Sequence, residues 1–227
     1  MPLTRLVGLL LAVAVVTAGC GHTSSHEDPT AALKTAQQKL EQTSGVSITL
    51  GTDDLPDGVQ GLRSASGTVT DTPAYEGTLG VVTSIGSFSV PVRSVDGKVY
   101  ARIPLTPGWS EVDPSDYGAP DPADLLSRRT GVPALLDATS DLKAGKDVRG
   151  GEGNKEVLST YTGTVPGSAV SSIIPGATGT FDATYAVASG GELRQATLTG
   201  VFYAGHPANT YRLVVTGYGT TKSITAP

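Results

Sequence analysis

A single cysteine, Cys20, stands among 227 residues. No disulfide can form within the chain, so the fold rests on burial and hydrogen bonding. Aromatic residues are also scarce: one Trp, three Phe and eight Tyr. Any core has to be built from Val, Leu, Ile and Ala. Histidine occurs only at His22, His26 and His206, and no metal site is expected. Charged residues make up 16% of the chain, against about 25% in an ordinary soluble domain. Their balance is acidic: 16 Lys+Arg face 21 Asp+Glu, for a formal charge of −5 and a pI near 5.1. Nucleic-acid-binding domains carry basic patches, so no nucleic-acid partner is expected. No apolar run approaches the ~20 residues of a membrane-spanning helix. The patterns G-x-x-x-x-G-K-[ST], H-E-x-x-H, G-x-S-x-G and C-x-x-C are all missing. With them go the usual signatures of nucleotide binding, zinc hydrolysis, serine hydrolysis and thiol redox chemistry. No cofactor is expected, and the chain does not read as an enzyme.

The N-terminus has a recognisable design. Met1–Arg5 carries one positive charge, and Leu6–Val16 is an unbroken apolar run. It has the length of a secretory h-region. It ends in Thr17-Ala18-Gly19-Cys20, and small residues before a Cys at that place form a bacterial lipobox. Thr17 stands where Leu or Val is usual. Residues 1–19 are expected to be a lipoprotein signal peptide, with Cys20 acylated by palmitate-type chains after cleavage. Residues 20–27, small and polar, read as a flexible tether. His22 and His26 fall in it, without a preorganised site. Two or three acyl chains, at about 0.8 kcal/mol per buried CH₂, hold a protein stably on a membrane. The expected location is the extracytoplasmic (periplasmic) face of the cell membrane, with the outer envelope as a second place.

Residues 28–227 read as one domain. Asp28-Pro29 has the N-cap and N1 chemistry of a helix start, and Leu33, Ala36 and Leu40 follow at helical spacing. Gly45 is expected to stop this helix. Val46, Ile48 and Leu50 alternate, and Gly77–Ile85 and Ser87–Val95 read as further strands. Asp96-Gly97 is a hairpin signal, joining Phe88/Val90/Val92 to Val99/Ala101/Ile103. The Pro-rich stretch from Pro104 to Pro122 leads to short helices, the second of which carries Val132, Leu135, Leu136 and Leu142 on or near one face. Lys155–Val165, Phe181–Val187, Ala196–Phe202 and Tyr211–Val215 are expected strands. Gly (29) and Pro (15) are plentiful, as tight turns require. Consecutive strands with tight turns make an antiparallel meander. The fold class is α+β: a large curved antiparallel sheet with short helices over its apolar face.

Catalytic patterns are weak. Ser140-Asp-Leu-Lys143 matches S-x-x-K but lacks its S-D-N and K-T-G companions. His206 lies in a hairpin-loop composition, Tyr203-Ala-Gly-His-Pro-Ala. Asp113, Asp116, Asp121 and Asp124 read as caps and turn formers rather than a paired-acid site. What remains is an apolar sheet face of small residues. It is compatible with a ligand cavity and equally with a packed core.

The order of several short segments resembles the mycobacterial LppX/LprAFG lipoprotein family. They are Val16-Thr-Ala-Gly-Cys20; Ser66-Gly67-Thr-Val-Thr with Pro73; Asp96-Gly97-Lys-Val-Tyr100-Ala; Trp109-Ser; Asp121-Pro122-Ala-Asp-Leu-Leu; Gly131-Val-Pro-Ala-Leu-Leu136; and Thr162-Gly163-Thr-Val-Pro166 with Pro175-Gly176-Ala177. Tyr218-Gly219 and Thr184-Tyr-Ala-Val187 depart from the family's usual Trp-Gly pair and T-V-W-I strand. The resemblance implies a U-shaped half-barrel whose concave face, under its helices, holds the acyl chains of lipids or glycolipids, of triacylglycerol or lipoglycan type. It also implies transfer across the envelope, with an export transporter as partner. It aligns Leu79 with a cavity-facing position. Val81, Phe88, Val90, Val92, Val99, Ala101, Ile103 and Leu198 are the accompanying candidates for the cavity wall. The alternative is a filled core in a lipid-anchored accessory or scaffold protein of an envelope transporter or enzyme.

Overall fold

The computed structural model describes residues 27–117 and 119–227. Cys20, His22 and His26 lie outside the described residues, as do the expected signal peptide and most of the tether. The chain opens with helix α1 (Pro29–Gln42), started as the sequence predicts: Asp28 accepts a hydrogen bond from the Ala31 N–H, and Pro29 follows it. The first six strands are β1 (Gly45–Gly51), β2 (Gly61–Thr70), β3 (Ala74–Thr83), β4 (Gly86–Val95), β5 (Lys98–Ala101) and β6 (Ser110–Val112). Two 3₁₀ turns, Pro114–Tyr117 and Pro122–Leu126, and helix α2 (Val132–Asp137) come next. Then follow β7 (Ser140–Ala144), β8 (Val148–Gly150), β9 (Glu156–Pro166), helix α3 (Gly167–Val170), β10 (Thr178–Ala188), β11 (Leu193–Val201) and β12 (Asn209–Thr216).

Among the described residues these strands form one antiparallel sheet in the order β6-β5-β4-β3-β2-β1-β12-β11-β10-β9-β7, with β8 also paired to β9. Neighbours in sequence are neighbours in space from β1 to β6 and from β8 to β12; β1 also meets β12, and β6 and β7 stand at opposite edges. The sheet is open and curved. One face is buried beneath α1, the Pro122–Leu126 turn, α2 and α3; it carries Val46, Ile48, Val69, Tyr75, Val92, Tyr185, Ala196 and Val215. At the lower end α1 crosses the sheet: Thr35 lies against the Gly191 turn, and Leu40 and Glu41 line a cavity with Thr70 and Asp71. At the upper end lie the β1–β2, β3–β4, β5–β6 and β11–β12 connections.

The Asp96-Gly97 hairpin forms as expected, with φ of 54° and 71°, the two left-handed positions of a type I′ turn. Three expectations are revised. Gly45 does not stop α1; the chain leaves the helix through Thr43 in an extended conformation. Gly45 instead opens β1, where a Cβ would stand 2.6 Å from the Thr220 carbonyl oxygen and 2.8 Å from that of Val69. Leu142 is not helical: α2 ends at Asp137, and Ser140–Ala144 pairs with β9. Ile85 ends no strand; it sits in the turn between Thr83 and Gly86.

Candidate functional site

Cross-strand register brings the predicted wall residues onto one face. Leu62 of β2 stands opposite Val81, and Val81 opposite Phe88. Below them Ala65, Leu79 and Val90 form a second rung, then Gly67, Gly77, Val92 and Ala101 a third. The lowest rung is Val69, Tyr75, Ser94 and Val99. Ile103 continues the line beyond Ala101 and packs on the core. Leu198 shares the same face but lies in the other half of the sheet, opposite Ala183 and Tyr211.

Burial follows the rungs. Tyr75, Val69, Val92, Val99 and Ala101 are buried. Leu79 and Val90 are half-buried against the core, and Leu62, Val81 and Phe88 are half-buried above them. The candidates therefore divide. Val92, Val99, Ala101 and Leu198 are packed, while Leu79, Val81, Phe88 and Val90 line the less covered upper part of β3 and β4.

The other half of the sheet is filled by rings. Phe181 and Phe202 meet edge to face at 4.7 Å, as do Phe202 and Tyr211; such pairs add about 0.5–1.5 kcal/mol beyond area burial. The Tyr211 hydroxyl donates to the Leu62 carbonyl and lies 2.9 Å from that of Tyr203. Burial first, then the Tyr203 hydrogen bond, raises the Tyr211 pKa. Tyr185 is buried with its hydroxyl 2.8 Å from that of Thr139, and burial pushes its pKa up to about 12. These hydroxyls are isolated polar points in an apolar face.

Tyr75 connects the two kinds of surface. Its ring covers the paired glycines of the third rung: a Cβ on Gly77 would stand 2.4 Å from its hydroxyl, and one on Gly67 2.8 Å from its ring. The hydroxyl donates to the Ser66 carbonyl at 3.1 Å, and burial pushes its pKa up to about 12. The glycines are required here by close approach, not by turn geometry. Periodicity missed Leu62, because a register shift between Leu62 and Ser64 breaks the alternation of β2. The paired Gly67 and Gly77 were the available signal for a bulky neighbour.

A cavity of about 120 Å³ lies at the lower end, lined by Leu40, Glu41, Thr43, Thr70, Asp71 and Asp124 among others. It is smaller than the roughly 300–1,000 Å³ of ligand pockets, and none of the predicted wall residues lines it. Glu41 Oε2 accepts from Arg128. Burial, then the neighbouring Asp121, raises the pKa of Asp124.

The discounted catalytic candidates have structural surroundings. The Ser140 hydroxyl is exposed and lies 3.0 Å from that of Thr164. Asp121 accepts from the Ala123 N–H and Asp113 from the Ser115 N–H, both at 2.9 Å. The His206 N–H donates to Tyr203 in the β11–β12 loop. Among the described residues no three His, Cys, Asp or Glu side chains gather as a metal site. No helix among them is long and apolar enough to cross a membrane.

The fold has solved counterparts. LprF from Mycobacterium bovis superposes with a TM-score of 0.71 at 14% identity, over 88% of this chain and 96% of that one. The Mycobacterium tuberculosis lipoprotein LppX gives 0.64 at 22% identity, over 88% and 100%. At these identities the likeness is one of fold. No curated protein matches the chain by sequence. Residues 28–225, nearly the whole described chain, match the family model of the LppX_LprAFG lipoproteins, and the chain belongs to that family.

Proposed function

We propose that this protein is a lipid carrier held at the extracytoplasmic membrane surface by an acylated Cys20. It binds the acyl chains of a lipid or glycolipid, of triacylglycerol or lipoglycan type, along the upper rungs of the concave face. It hands them on across the envelope, with an export transporter as its partner. It is a binding protein, not an enzyme. The observation that carries this reading is the unevenly covered apolar ladder: Leu62, Val81 and Phe88 over Leu79 and Val90, half-buried above the buried Val69, Tyr75, Val92, Val99 and Ala101. Membership of a lipoprotein family supports it. Lipid tails crossing water need such a surface, since each exposed CH₂ costs about 0.8 kcal/mol.

The test is native mass spectrometry of the protein purified from a mycobacterial host, followed by solvent extraction. Bound lipid at defined stoichiometry is the expected result. A lipid-free protein that still associates with envelope transporters would replace the carrier by an accessory protein.

A further inference from the structure

The upper end of the sheet carries features that lipid carriage alone does not require. Leu105 is 99% exposed and Ile85 79% exposed. Both stand at this end. Thr83 pairs with Gly86 at the tip of the β3–β4 hairpin that holds Ile85. Val92 pairs with Ala101, and the Arg102 N–H donates to Pro91, so the connection that holds Leu105 leaves the sheet beside β4 of the same hairpin. Single exposed apolar residues are ordinary, but Leu105 is held outward. Its φ is 68°, a conformation that a residue with a Cβ adopts at a cost. The turn is pinned by the Thr106 N–H and hydroxyl, which donate to the Ile103 carbonyl at 3.2 and 2.7 Å.

Trp109, the only tryptophan of the chain, lies next to this turn. The guanidinium groups of Arg93 and Arg102 stand over its ring at 5.2 and 5.0 Å. Arg93 is also paired with Glu76, whereas Arg102 is exposed and makes no ion pair among the described residues. An indole with adjoining cations is the chemistry of a membrane headgroup layer, with apolar side chains beyond it reaching the acyl region. Asp53, Asp54 and Asp57, also exposed, sit on the β1–β2 loop, so the acidic side of this end lies away from Arg102.

We infer that the β3–β4 and β5–β6 tips form a docking surface for a lipid bilayer with anionic headgroups, Ile85 and Leu105 inserting and Trp109 with Arg102 resting among the headgroups. The inference rests on the carrier reading, because Ile85 stands in the turn of the β3–β4 hairpin, whose Val81/Phe88 and Leu79/Val90 rungs form the ladder. Docked this way, a lipid tail leaves the bilayer along the ladder without crossing water.

Trp109 is its own probe. The acylated protein is reconstituted in vesicles of phosphatidylcholine and phosphatidylglycerol whose acyl chains carry bromine, and tryptophan fluorescence is compared with that in unbrominated vesicles. Quenching of the wild type is expected, with clear loss of quenching in Ile85→Asp/Leu105→Asp. Leu105→Asn is the second variant. Asn tolerates a positive φ better than Leu, so its melting temperature should hold or rise while quenching falls, an outcome that a merely structural role would not produce. Absent quenching in the wild type, or equal quenching in wild type and variants, overturns the inference. A fluorescence change that follows protein density rather than lipid overturns it in favour of contact between two copies. Lipid extracted from the purified protein before reconstitution reports on carriage separately: a loaded protein that is not quenched refutes docking alone, and an empty one refutes the carrier reading.

Discussion

Leu79→Trp separates an open ladder from a packed core. Leu79 stands between Ala65 and Val90 with Val81 and Phe88 above it, and it is half-buried. Ala196, between Tyr185 and Leu213, is 2% exposed and supplies the contrast. Adding bulk to a closed core costs about 1–3 kcal/mol. Each kcal/mol lowers the Tm of a domain this size by about 2–4 °C, so Ala196→Leu should lose about 2–12 °C. Substitution at an open position costs within about 0.5 kcal/mol, and Leu79→Trp should stay within about 2 °C of wild type. Binding should respond differently. An indole that takes the place of two or three chain methylenes removes about 2 kcal/mol, close to 30-fold in affinity. The assay pairs thermal unfolding with lipid stoichiometry by native mass spectrometry. A Leu79→Trp protein as destabilised as Ala196→Leu, or a stable one that loads lipid normally, refutes the reasoning.

Other outcomes follow from the same geometry. Cys20→Ala should abolish acyl labelling and move the protein out of the membrane fraction, read by palmitate-analogue incorporation and fractionation. Gly77→Ala would set its Cβ 2.2 Å from the Ser66 carbonyl oxygen and 2.4 Å from the Tyr75 hydroxyl. Backbone cannot give way there as a side-chain tip can, so denaturant unfolding should report a loss of about 1–3 kcal/mol. Glu76 has its pKa lowered below the ordinary 4.5, first by the Lys222 hydrogen bond and then by Arg93. A depressed folded pKa gives stability that is present above pH 4.5 and lost as pH falls through the folded value. Stability measured across that acid range should fall less steeply in Glu76→Gln than in wild type. An unchanged slope would show that these ion pairs, which are partly exposed, are screened by solvent.

Local chemistry was legible wherever one residue decides a backbone conformation. Asp28-Pro29 started α1 and Asp96-Gly97 turned the hairpin because capping and left-handed φ depend on few atoms. The face on which Leu79, Val90, Val92 and Ala101 lie was legible because strand side chains alternate. Leu142 was misplaced because an apolar residue five positions past a short helix fits either period, and pairing with β9 decided it. Gly45 was misread because its need for space comes from Val69 and Thr220, the second far away in sequence. Leu62 was passed over at the bulge. Alternation also says which face is apolar and nothing about what covers it. The division of the wall candidates between packed and half-covered could not be read from β3, β4 and β5 alone. It depends on where Phe181, Phe202 and Tyr211 gather and on the path of a segment remote from them.

That path follows from topology. β6 and β7 are the two edges of the sheet, yet they are consecutive in the chain. Residues 113–139 must therefore travel from one edge to the other. Because the sheet is curved, the short way lies across its concave side. Pro114, Pro120, Pro122 and Pro133 prevent one long helix, since an internal Pro removes a hydrogen-bond donor and breaks the helix. The segment instead follows the curve in short turns. Ala123 is buried beneath the first part, and Val132, Leu135 and Leu136 beneath the second. The Pro122–Leu126 turn lies over β2, β3 and β4, and α2 packs chiefly on α1. Since α1 crosses the lower end, the segment adds its cover there. In the β9–β10 half α3 follows β9 at the upper end, with Val170, Ile174 and Ala177 buried. The upper rungs of β2, β3 and β4 are left with partial cover from either source. The half-covered ladder is thus the remainder of a crossing made at the lower end, and it lies below the β3–β4 turn that carries the exposed Ile85.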